Sequence, residues 1–230
     1  MTNRDMIGRI SGGLLFTAFL IFHLLYLEKG WNGFNPAARA NSLLITCTII
    51  LFLSAYFLRT EPVSYSSGFA ETIYPFFCAS LPLVIYHNAA LLNYLPQTNS
   101  FYPFVQSLLE LYDHEFLRWN FVSMTLVITG NVITLIGIIY LKRSFSIMIE
   151  AREPVFTGIY RYVRHPLYLG EMIATTGVLV FRFSNINLFL TILFIISQVV
   201  RSRLEENKLS SVFLTYAEYK RKTGAFLPRS

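Results

Sequence analysis

The stretch Tyr160-Arg161-Tyr162-Val163-Arg164-His165-Pro166-Leu167-Tyr168-Leu169-Gly170 leads into an apolar run that reaches Phe181. The chain then turns at Ser184-Asn185-Ile186-Asn187 and returns apolar to Val200, ahead of Arg201-Ser202-Arg203-Leu204-Glu205-Glu206. Two apolar arms joined by a turn signal read as a helical hairpin. Arms of about 15 residues cross only a thin bilayer or stop before its far side, because a full crossing takes about 20. Folding the hairpin brings its two charged feet to one membrane surface. Dense charge at a bilayer edge is costly unless it is paired or bound, so the function is sought at these feet.

Outward from the hairpin, four more apolar segments occupy residues 7–27, 40–58, 72–95 and 116–141. Each is long enough to span. With 54% hydrophobic and 14% charged residues over 230 positions, the chain has too little charge for a soluble domain of its size. The expected fold is all-α: a polytopic membrane helix bundle of four spanning helices plus the C-terminal hairpin, five to six transmembrane segments in all, followed by a short cytoplasmic helix. No internal repeat or linker divides it, so residues 1–230 read as one membrane domain. The first apolar run is long and lacks a small-residue cleavage site, which predicts a retained anchor.

The basic residues set the expected orientation. With the N-terminus inside, 15 of the 19 lysines and arginines fall on the cytoplasmic side, leaving Lys29, Arg39, Arg118 and Arg182 outside. The positive-inside rule therefore predicts cytoplasmic termini and a cytoplasmic position for both charged feet, with Glu110, Asp113 and Glu115 on the outer loop. The net charge of +6 reads as topology and affinity for anionic lipid headgroups, not as nucleic-acid binding. Cys47 and Cys78 lie in apolar segments and read as buried small side chains, with no spacing for a metal site or a disulfide framework.

The chemistry-bearing residues begin after the fourth span. Glu150-Ala151-Arg152-Glu153-Pro154 breaks any helix, since the residue before proline is pushed out of the helical region. Thr157-Gly158-Ile159-Tyr160 adds a turn. Pro166 suits the first position of a helix, whose free N–H groups and partial positive charge favour an anion. Gly170 permits close approach to that helix's backbone. On the return arm, Arg201 and Glu205 are spaced for pairing along a helix, as are Arg203 and Glu206. Polar residues within the spans, His23, His87 with Asn88, Asn131, Glu171 and Gln198, read as interhelical hydrogen bonds; Glu171 stands apart because it adjoins Gly170.

Taken in order, these elements resemble the isoprenylcysteine carboxyl methyltransferases and their phospholipid-methylating relatives over residues 144–228. The resemblance rests on Thr157-Gly158-Ile159-Tyr160, Arg164-His165-Pro166-Leu167-Tyr168-Leu169-Gly170, the hairpin, and Arg203-Leu204-Glu205-Glu206. Leu227-Pro228 matches the family's common ending. Phe213-Leu214-Thr215-Tyr216-Ala217-Glu218-Tyr219 departs from the family's Phe-Gly-x-x-Tyr-x-x-Tyr element: it is one residue shorter and lacks the glycine.

The resemblance implies a membrane methyltransferase that uses S-adenosylmethionine and acts on a lipidic or isoprenylated acceptor, with residues 144–228 as its cofactor-binding core. It implies a cofactor site formed by Tyr160, Arg164, His165, Pro166, Tyr168, Gly170, Glu205 and Glu206, without a metal. Arg203 would grip an acceptor carboxylate bidentately, and Glu206 would serve as base toward an amine; a carboxylate acceptor is favoured. Two other readings stay open: an NADPH-dependent reductase of the sterol-reductase type, against which Leu167 stands where that class shows Asn, and a non-catalytic membrane protein on the same fold.

Overall fold

The computed structural model describes residues 3–34, 36–87 and 120–229. His87 with Asn88, the distal part of the third apolar segment, the start of the fourth and the acidic loop of Glu110, Asp113 and Glu115 therefore include positions or side chains outside the described residues. The described chain is helical, without named strands: α1 (Asn3–Gly30), α2 (Pro36–Leu58), α3 (Gly68–Thr72), α4 (Tyr74–His87), α5 (Asn120–Leu141), α6 (Pro166–Phe181), α7 (Asn185–Val212) and α8 (Leu214–Lys222). It is a polytopic membrane bundle. Large apolar side chains such as Ile10, Leu14, Phe57 and Phe189 are exposed, as expected of helix faces turned to lipid instead of water.

Among the described residues, four helices are long and apolar enough to cross: Asp5–Glu28, Ala38–Leu58, Phe121–Ser144 and Asn185–Val212. The return arm of the hairpin is one continuous 28-residue helix, because nothing between Val200 and Val212 breaks it. At 1.5 Å per residue α7 is about 42 Å long. Its apolar part, up to Val200, accounts for about 24 Å, and α6 is of similar length. Ser184 caps α7, accepting from the Asn187 backbone N–H at 3.2 Å.

The most extensive helix contact is between α5 and α6, and glycine makes it possible. A Cβ on Gly170 would lie 2.6 Å from Gly130 O and 2.7 Å from Thr134 N, and one on Gly177 would lie 2.9 Å from Ser123 O. The open side of Gly170, expected to admit a ligand, is thus filled by the backbone of α5. Ser123 Oγ donates to Gly177 O at 2.8 Å across the same seam. His23 Nε2 lies 3.1 Å from Ser42 O, Asn131 Nδ2 donates to Asn41 Oδ1 at 2.9 Å, and Gln198 donates to Glu171. Polar groups inside the bundle accordingly tie α1 to α2, α5 to α2 and α7 to α6. Cys78 is buried, whereas Cys47 lies on the exposed face of α2, contrary to expectation.

An aromatic core joins α1, α2, α5 and α6 near the charged end of the bundle. Phe16 and Phe52 stack at 5.1 Å, and Phe145 packs on Phe52 at 4.9 Å; Tyr56, Ile147, Leu167 and Tyr168 complete the layer. The segment after α2 pairs with the segment after α5 through Val63 N to Ala151 O (2.8 Å) and Ala151 N to Ser64 O (2.9 Å). These two irregular segments form a lid of backbone over the aromatic layer. Lys208 fastens α7 to it through Glu71, at 2.7 Å.

Candidate active site

Pro166 is the first residue of α6, with His165 at its N-cap. The two residues before it are fixed by backbone pairing with a C-terminal strap: Arg164 N donates to Gly224 O at 2.9 Å and His165 N to Ala225 O at 3.0 Å. Their side chains turn inward to Glu206 on α7. Arg164 Nε and Nη2 lie 2.8 and 2.7 Å from Glu206 Oε1, His165 Nε2 lies 3.0 Å from the same oxygen, and Lys220 Nζ on α8 lies 2.9 Å from Oε2. Arg164 Nη1 also donates to Lys220 O and Thr223 O. The hairpin's two feet and the strap therefore converge on one buried carboxylate.

The second glutamate faces differently. Glu205 Oε1 accepts from Tyr168 OH, and Arg201 Nε stands 3.7 Å away. Arg201 lies 4.9 Å over the Tyr168 ring and donates from Nη2 to Ile147 O at 2.7 Å. Tyr168 is in turn stacked on His165, ring to ring at 5.5 Å with an interplanar angle of 5°. Tyr219 OH donates to Tyr160 O, placing the α8 tyrosines beside the turn that precedes α6. Burial raises the phenol pKa values of Tyr160, Tyr216 and Tyr219, so these hydroxyls stay protonated at neutral pH.

Between these groups lies an open-mouthed cleft of about 100 Å³, lined by Tyr160, Arg164, His165, Tyr168, Glu205, Tyr216 and Tyr219. Leu141, Phe145, Met148, Leu167 and Leu209 give it apolar walls. Of the residues expected at a cofactor site, Tyr160, Arg164, His165, Tyr168 and Glu205 line the cleft. Pro166 and Gly170 do not; the first starts α6 and the second admits α5. Glu206 is absent from the lining, its oxygens occupied by Arg164, His165 and Lys220. Arg203 is exposed and also lies outside the lining, and Arg201 is the guanidinium that turns inward.

A second charged cluster, which the sequence reading did not assemble, borders the same cleft. Asp5 and Arg9 of α1, Arg59 at the end of α2, and Glu150 and Arg152 of the loop after α5 form it. Arg59 Nη2 lies 3.0 Å from Asp5 Oδ1, Arg152 Nη2 lies 2.8 Å from Glu150 Oε2 and 3.6 Å from Asp5 Oδ1, and Arg9 Nε lies 2.7 Å from Asp5 Oδ2. Glu150 and Arg152 are cleft residues. A signal was available: Asp5 opens an apolar helix, where a carboxylate requires a partner.

A polytopic helical membrane protein with a polar cleft built on the feet of a helical hairpin is the class that fold and site define. Residues 122–211 match the model of the Isoprenylcysteine carboxyl methyltransferase (ICMT) family, a span that covers nearly all of α5 and of the hairpin, with both of its charged feet. Compared with curated proteins, the chain shows no match.

Proposed function

We propose that the protein is an S-adenosylmethionine-dependent membrane methyltransferase that transfers a methyl group to a lipidic or isoprenylated acceptor, a carboxylate by preference. The observation that carries this reading is the closed junction of Arg164-His165 with Glu205-Glu206 beside the cleft, within the segment that matches the family. The cleft's chemistry fits the group. Tyr160, Tyr216 and Tyr219 offer aromatic faces for a base or a sulfonium, Glu205 offers an acceptor to hydroxyl or ammonium groups, and buried guanidinium N–H groups without partners stand on the same wall.

When bound, S-adenosylmethionine supplies an electrophilic methyl on a sulfonium. The chain's own tasks are binding, alignment and exclusion of water, which can provide most of the acceleration for in-line displacement. Glu205 is held in place by Tyr168 and Arg201, and the His165–Tyr168 stack is fixed by Glu206 and the strap. Leu141, Phe145, Met148, Leu167 and Leu209 keep the reacting space apolar. We place the cleft at the cytoplasmic surface on the basic-residue asymmetry, with the acceptor arriving from the bilayer and its apolar tail remaining there.

The test is thermal stabilisation of the detergent-solubilised protein. A ligand that binds only the folded state stabilises it by about 2.7 kcal/mol at a hundred times its Kd. S-adenosylmethionine and S-adenosylhomocysteine should raise the melting temperature and NADPH should not. Stabilisation by NADPH alone would replace this reading with a reductase.

A further inference from the structure

We propose that Arg152 is the carboxylate-binding residue of the cleft, held ready by the charged network beneath it; this rests on the methyltransferase reading for the identity of the ligand. The side chain is 2% exposed and lies in the cleft wall. Only its Nη2 is engaged, by Glu150 at 2.8 Å and Asp5 at 3.6 Å. Its Nε and Nη1 are buried and have no hydrogen-bond partner. A guanidinium has five N–H donors in a planar fork, and leaving such donors desolvated and unmatched is unfavourable unless a ligand takes them.

The other arginine on the cleft wall is not available for this role, because Arg164 is taken by Glu206, Lys220 O and Thr223 O. Arg152 is also fixed in position: Glu150 is gripped by Ser146 Oγ at 2.8 Å and approached by Arg59 at 3.6 Å, and Ala151 is locked to Ser64. A rigid fork with free N–H groups suits a planar carboxylate better than a flexible ammonium does.

Two carboxylates belong to the proposed reaction, the amino-acid end of the methyl donor and the free acid of the acceptor. They present the same chemistry, and the experiment separates them. Binding to the full chain in detergent would be measured by calorimetry for S-adenosylhomocysteine and its carboxamide, and for an S-isoprenyl cysteine and its carboxamide. The wild type and Arg152→Gln would be compared. In the wild type at least one acid should bind about tenfold or more tightly than its amide, the scale of one charge-assisted contact, and in Arg152→Gln that preference should collapse while the amides bind as before.

Collapse for the first pair identifies the donor's carboxylate as the ligand, and collapse for the second identifies the acceptor's. If Arg152→Gln melts with the wild type and leaves both acid preferences intact, Arg152 does not bind the carboxylate. Should Arg152→Gln fail to fold, Arg152→Lys keeps the network's charge but not the fork, and unchanged acid preferences in that variant likewise overturn the proposal. If S-adenosylhomocysteine does not bind the wild type at all, the methyltransferase reading fails, while the isoprenyl acid and amide still test Arg152.

Discussion

Glu206→Gln tests whether the site's architecture hangs on one carboxylate. Glu206 is 5% exposed and takes Arg164 at 2.7 and 2.8 Å, His165 at 3.0 Å and Lys220 at 2.9 Å. The Lys220 side chain is 42% exposed, so that pair contributes at most about 1 kcal/mol. The Arg164 side chain is 9% exposed, and a hydrogen bond to a charged group contributes about 1.5 to 3 kcal/mol. Glutamine retains one acceptor oxygen but turns an NH2 toward one of the cations. The expected loss is about 3 kcal/mol, the lower end for breaking a buried pair. At about 2 to 4 °C per kcal/mol for a chain of this size, the melting temperature should fall by about 6 to 12 °C. Intrinsic-fluorescence melts in detergent at one fixed scan rate are the assay, since membrane-protein unfolding is commonly irreversible. A melting temperature within about 2 °C of wild type, less than one kcal/mol on this scale, would refute the view that Glu206 ties hairpin to strap.

Arg201→Lys should lower stability by about 1 to 3 kcal/mol through loss of the stack on Tyr168 and the bond to Ile147 O, whereas Arg203→Lys, at an exposed position, should change it by less than about 0.5 kcal/mol; equal effects would sink the assigned helix facing. Gly170→Ala drives a methyl into the α5 backbone and should cost about 1 to 3 kcal/mol, read as a lower melting temperature. The Tyr219 phenol is raised above its ordinary value near 10 because it is buried, so its contribution is complete below about pH 10 and is lost as pH rises through the folded-state value. Alkaline melting curves should therefore steepen above pH 10 less in Tyr219→Phe than in wild type, and identical curves would exclude this origin. In a chain with Cys47 and Cys78 replaced by Ser, Leu214→Cys should label from the cytoplasm and Asn185→Cys should not; the reverse pattern would invert the proposed orientation.

Hydropathy made the helices legible because lipid demands long apolar runs, and the hairpin was legible because Ser184-Asn185-Ile186-Asn187 interrupts one. The residues at its feet were legible as an ordered motif, but their facing was not weighed. Gln198 lies inside the bundle, and residues three and seven positions later share its face of the helix. Arg201 and Glu205 were thus placed inward by the same periodicity that turns Arg203 out. The Asp5–Arg59–Glu150–Arg152 cluster was not readable in the same way. Its members come from three segments widely separated in the chain, and their contact depends on how the lid folds over the aromatic layer, which no local pattern encodes.

The backbone pairing of Arg164 and His165 with Gly224 and Ala225 has a consequence for biogenesis. Chains emerge N-terminus first at about 5 to 20 residues per second, so the hairpin is made before the strap that fixes its first turn. Until Gly224 and Ala225 arrive, Arg164 and His165 have unpaired backbone N–H groups and Glu206 lacks Lys220. The membrane helices can be inserted and packed during that interval, before the backbone pairing that fixes Arg164 and His165 is complete. The first turn of α6 is therefore fixed late in synthesis, after the membrane helices that carry it have been made.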